Sequence, residues 1–67
     1  MKKWKVTINW YGEVHEFYTH GKDKKEALRN ACSRLAKKVG YVSAYVHMKV
    51  RQDCDHSVQE VMPNGLA

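Results

Sequence analysis

A chain of 67 residues with 43% hydrophobic and 28% charged residues has room for one folded domain and one small core, and excludes a disordered tail or a multidomain enzyme. No apolar run approaches the roughly 20 residues of a membrane span, and no apolar signal core follows Met1-Lys2-Lys3, so a cytoplasmic protein without a membrane partner is expected. The net charge of +5 is unevenly divided: residues 1–51 hold 12 Lys and Arg against 4 acids, a balance of +8, whereas residues 52–67 hold Asp53, Asp55 and Glu60 with no base, a balance of −3.

The first element is a strand over 3–11, where Trp4, Val6, Ile8 and Trp10 alternate with Lys3, Lys5, Thr7, Asn9 and Tyr11. Gly12-Glu13 supplies a two-residue hairpin loop, because Gly provides the positive φ such turns require. That loop predicts Tyr11 facing Val14, Trp10 facing His15, Ile8 facing Phe17 and Val6 facing Thr19. The returning strand, 14–20, is more polar, as an edge strand should be.

Residues 21–40 carry a complete helix signal. Asp23 can cap the first-turn amides, Glu26 occupies the capping-box position three residues on, and Gly40 can take the left-handed stop. At about 100° per residue, Ala27, Leu28, Ala31, Cys32, Leu35 and Val39 share one arc, and Glu26, Arg29, Asn30, Ser33, Arg34 and Lys37 share the other. One side packs and the other carries net positive charge.

After the helix, Ala44, Val46, Met48 and Val50 alternate with Tyr45, His47, Lys49 and Arg51, which predicts a third strand over 44–51. A polar turn over 52–56 and a short fourth strand over 57–62 complete the pattern, Pro63-Asn64-Gly65 ends it, and residues 63–67 read as a frayed tail. The expected fold is thus a single α+β domain over 1–62, a two-layer ββαββ sandwich. Its antiparallel sheet, in the order 2-1-3-4, would have one helix packed on one face. The predicted core is Trp4, Val6, Ile8, Trp10, Phe17, Leu28, Ala31, Leu35, Val46 and Met48, Val50 lies on the same helix-covered sheet face, and the opposite face is left open.

Open sheet faces that interleave rings with cations suit single-stranded nucleic acid, since rings stack on bases while Lys and Arg neutralise phosphates. The candidates are Tyr18, Tyr45 and His47 as rings and Lys5, Lys49 and Arg51 as charges; the plain alternative is that strands favour Tyr and that alternating polar residues face solvent. A second signal lies at the helix start, where Gly21, Lys24, Lys25, Ala27, Ala31 and Cys32 form a pattern of Gly, a Lys pair and small residues. Over 21–35 this resembles the last helix of double-stranded RNA-binding domains, and the resemblance implies that Lys24 and Lys25 touch the phosphate backbone. The chain departs from that family in placing Asp23 where a Ser stands and Leu28 where a third Lys stands. It also has no room for the family's first helix or middle strand, and it continues beyond the helix.

Other chemistries find less in the sequence. Cys32, Cys54, His15, His20, His47 and His56 are numerous enough for a metal, but only Cys54 and His56 are closely spaced, unlike the paired ligands of structural zinc sites. A chain without an export signal also gives no reason for a Cys32–Cys54 disulfide. No nucleophile motif and no Gly-rich phosphate loop occur, so a non-enzyme without cofactor is expected. The leading function is a small nucleic-acid-binding protein, with DNA and RNA undistinguished. The alternative is a protein-interaction module, an adaptor or inhibitor in the style of the short basic chains that phages and plasmids encode, for which Tyr11, Val14 and Tyr18 would serve. A homodimer fits either.

Overall fold

The computed structural model describes residues 2–61, so the expected end of the last strand at Met62 and the frayed tail over 63–67 lie outside the described residues. Five elements follow in the order ββααβ: β1 Lys2–Trp10, β2 Glu13–Gly21, α1 Lys24–Val39, α2 Ser43–Asp53 and β3 His56–Val61. The sheet is three-stranded and antiparallel in the order β2-β1-β3, with both helices on one face. The α+β class and the open second face match the sequence reading. The ββαββ order, the 2-1-3-4 sheet and the single helix do not.

The hairpin closes one residue earlier than expected. Tyr11 and Gly12 form the loop with φ of 49° and 94°, the pair of positive φ values that a type I′ turn needs, and the Gly12 amide donates to Asn9 Oδ1 at 2.9 Å. The resulting pairs are Trp10 with Glu13, Ile8 with His15, Val6 with Phe17 and Trp4 with Thr19, each shifted by two residues along β2 from the expected register. An even shift preserves the faces, because side chains alternate with period two. Trp4, Val6, Ile8, Trp10 and Phe17 are accordingly all buried.

α1 begins and ends as its sequence dictates. The Glu26 amide donates to Asp23 Oδ1 at 2.9 Å, Glu26 Oε1 accepts from the Lys22 amide at 2.7 Å, and Gly40, at φ 85°, donates its amide to the Ala36 carbonyl. Asp23→Ala removes the cap acceptor, so the urea midpoint should fall by the equivalent of about 0.5 to 2 kcal/mol with the fold retained. An unchanged midpoint would place the start of the helix elsewhere. α1 lies close on the hairpin: a Cβ at Gly21 would come within 3.1 Å of the Ala27 backbone nitrogen, so a side chain there would require the first turn of α1 to shift by a few tenths of an ångström. Two residues of its polar arc also cover the free edge of β2, Asn30 Nδ2 donating to the His20 carbonyl at 2.9 Å and Arg34 Nη1 to the Tyr18 carbonyl at 3.0 Å.

The segment read as a third strand is α2. Val46 and Val50, four residues apart, both reach the core, while Ala44 before them and Met48 between them are exposed. Met48 is therefore not a core residue. Strand β1 instead takes β3 as its second neighbour, with Val6 opposite Val58 and Ile8 opposite His56. The core unites β1 and Phe17 with Ala27, Ala31, Cys32, Leu35 and Ala36 of α1 and with Val46, Val50 and Cys54. Both cysteines are free. Burial, assisted by the nearby Cys54, pushes the Cys32 thiol up to about 11, so it packs as a protonated, nearly apolar side chain.

Candidate nucleic-acid interface

The eight sequence-predicted residues, expected on the open sheet face and at the start of α1, fall on three surfaces. Lys5 and Tyr18 are direct cross-strand partners on the open sheet face, and Lys3 stands over the Tyr18 ring at 5.7 Å. Lys24 and Lys25 are exposed at the first turn of α1. Tyr45, His47, Lys49 and Arg51 are not on the sheet at all, because the residues that carry them wind into α2. The helix divides them into two pairs: Tyr45 with Lys49 on one flank, His47 with Arg51 on the other.

The open face is the weaker electrostatic surface. Lys5 Nζ lies 3.5 Å from Glu16 Oε2, Lys3 stands over the Tyr18 ring, and the neighbouring Thr7, Asn9, Ser57 and Gln59 are uncharged. With a carboxylate beside Lys5, this face offers one aromatic ring and one lysine, Lys3, that has no carboxylate within ion-pair distance among the described residues.

The Tyr45 flank is mainly aromatic. Rings run from Tyr11 to Trp10 at 4.9 Å, from Trp10 to Tyr41 at 6.2 Å and from Tyr41 to Tyr45 at 5.3 Å, with Lys49 Nζ 5.8 Å from the Tyr45 ring. Tyr11 and Tyr41 remain 62% and 56% exposed, and Val42 beside them is more exposed still. Lys49 is also held by Asp53 Oδ2 at 3.5 Å, which reduces its freedom to meet an external anion.

The other flank of α2 faces α1 across a cleft of about 520 Å³ lined by Lys25, Leu28, Arg29, His47, Arg51 and His56. Two i,i+4 pairs build it: Lys25 and Arg29 on α1, His47 and Arg51 on α2, with His56 added at the start of β3. Among the described residues, no carboxylate lies within ion-pair distance of Lys25, Arg29 or Arg51. Asp55 lines the neighbouring hollow, with Thr7, Asn9, Val14, Ser57 and His56, so His56 stands between the carboxylate of Asp55 and the cleft. The uncompensated charge is felt by His47, whose pKa is held below the usual histidine value by burial first and then by Arg51, Arg29 and His56.

Arg29 and His56 were not among the sequence candidates. Arg29 was visible on the polar arc of α1 one turn beyond Lys25, but its partner across the cleft appears only when 43–53 is wound as a helix. Among the described residues no three His, Cys, Asp or Glu side chains come together as a metal-binding group, and no helix is long and apolar enough to cross a membrane. Comparison with known proteins gives no match: no family model, no curated protein and no solved structure matches the chain.

Proposed function

We propose that the protein is a small, non-enzymatic nucleic-acid-binding protein whose phosphate contacts are made in the cleft between α1 and α2. The observation that carries this reading is the convergence of Lys25, Arg29 and Arg51, with His47 and His56, on one hollow without a carboxylate partner. Isolated cations on a protein surface are ordinarily neutralised or dispersed; several held together raise the local anion concentration and release counterions when phosphate binds. Lys24, exposed beside Lys25, extends the charge toward the start of α1, in the position that the double-stranded RNA-binding resemblance gives to phosphate-contacting lysines.

The test is binding of labelled single-stranded and duplex DNA and RNA by fluorescence anisotropy at two salt concentrations. Affinity should fall steeply between about 50 and 200 mM salt, as it does for proteins that displace several counterions. No binding at the lower concentration would sink the reading. It would favour instead a protein-interaction module docking through the exposed end formed by Tyr11, Tyr41, Val42 and Tyr45, whose apolar area is what a protein partner uses.

A further inference from the structure

The cleft concentrates more positive charge than a track for an internal sugar–phosphate backbone requires. A phosphodiester carries one negative charge. A phosphomonoester carries about 1.5 to 2 near pH 7 and presents three strong acceptor oxygens. In the cleft, three permanent cations and two imidazoles surround a single hollow, with Leu28 its one apolar lining residue. The two arginines bring planar forks suited to paired phosphate oxygens, and they come from different helices, so one group can be gripped from two sides. Building on the nucleic-acid reading above, we propose that the cleft binds the terminal phosphate of a nucleic-acid strand, a phosphomonoester rather than an internal phosphodiester.

The histidines give this site a signature that simple charge attraction lacks. His47 is faced by Lys25 and Arg29 from α1, by Arg51 from its own helix and by His56 from β3, and by no carboxylate among the described residues. His56 Nδ1 donates to the Cys54 carbonyl at 3.1 Å, which fixes the orientation of that ring at the start of β3. In the empty cleft, burial first and then Arg51, Arg29 and His56 disfavour the protonated form of His47. A bound dianion supplies the negative charge that imidazolium lacks, so phosphate binding takes up protons, and affinity rises as pH falls from about 8 toward 6.5, the ordinary histidine value.

The experiment compares one short single strand in three forms, 5′-phosphorylated, 3′-phosphorylated and with hydroxyls at both ends, by anisotropy with the full chain. Inorganic pyrophosphate serves as a separate ligand in calorimetry. A phosphorylated end should bind about tenfold tighter or more at pH near 6.5, a margin set by charge-assisted hydrogen bonds that the hydroxyl form lacks. The advantage should shrink toward pH 8. His47→Gln combined with His56→Gln should flatten that pH dependence while circular dichroism stays native. Equal affinity for all three forms would overturn the terminal-phosphate proposal and leave the nucleic-acid reading standing. Pyrophosphate binding without binding of any strand would overturn both and point to a small phosphorylated ligand; no binding of any probe would also overturn both.

Discussion

Leu35→Ala should be the most destabilising single truncation in the helix layer. The side chain is fully buried in the C-terminal half of α1, in the core that unites the sheet with both helices. Buried Leu to Ala changes cost about 2 to 5 kcal/mol, from lost apolar transfer and from the cavity left behind. A domain of this size has a total stability on the order of 3 to 10 kcal/mol, so the variant should lose much or all of its cooperative urea transition. Met48→Ala is the informative companion, since Met48 is 42% exposed and should cost no more than about 0.5 kcal/mol. The pair separates two arrangements of 43–53. If Met48→Ala proved as costly as Leu35→Ala, the segment would be the strand that its alternation suggests and not the helix α2.

That comparison touches the place where sequence reasoning and structure part. β1 and α1 were legible because each has an unambiguous signature: Trp4, Val6, Ile8 and Trp10 fit only period two, and Asp23, Glu26 and Gly40 mark a helix at both ends. The second helix has no such marks. Its N-cap, Val42, makes no side-chain hydrogen bond, and its C-cap, Cys54, is extended. Its apolar pair Val46 and Val50 is spaced by four, an interval that returns to the same face in a strand and nearly so in a helix. Local preference for β-branched residues then favoured a strand, and tertiary context decided otherwise: β1 has only two edges, taken by β2 and β3. The hairpin register was missed for a smaller reason. Asn9, not the glycine alone, positions the loop by accepting from Gly12, and it does so with Tyr11 in a left-handed conformation that few non-glycine residues adopt. The candidate site inherited both limits. Lys25, His47 and Arg51 were identified as residues but assigned to separate surfaces, since the cleft that unites them with Arg29 exists only between two helices.

Replacing Arg29 and Arg51 together by Gln should have the largest effect on binding. These arginines stand on opposite walls of the cleft, and neither has a carboxylate partner among the described residues, so each is free to form charge-assisted hydrogen bonds with phosphate. Losing both should weaken binding at low salt by on the order of a hundredfold, and should make the slope of log affinity against log salt shallower by about 1.4 to 1.8, depending on whether the strand is single or double. Gln keeps much of the stem and its polarity, and both arginines are exposed, so circular dichroism and the urea midpoint should remain near those of the parent. The matched control is Lys5→Gln with Tyr18→Ala on the open sheet face. There one charge is already engaged by Glu16 and one ring would be lost, so the salt slope should change by less than one contact's worth. The two doubles place the interface without further assumption. A large loss in the arginine pair with a small one in the sheet pair puts phosphate in the cleft. The reverse would return the interface to the open sheet face that the strand alternation first suggested, and would leave the cleft's unpartnered cations without a role in nucleic-acid binding.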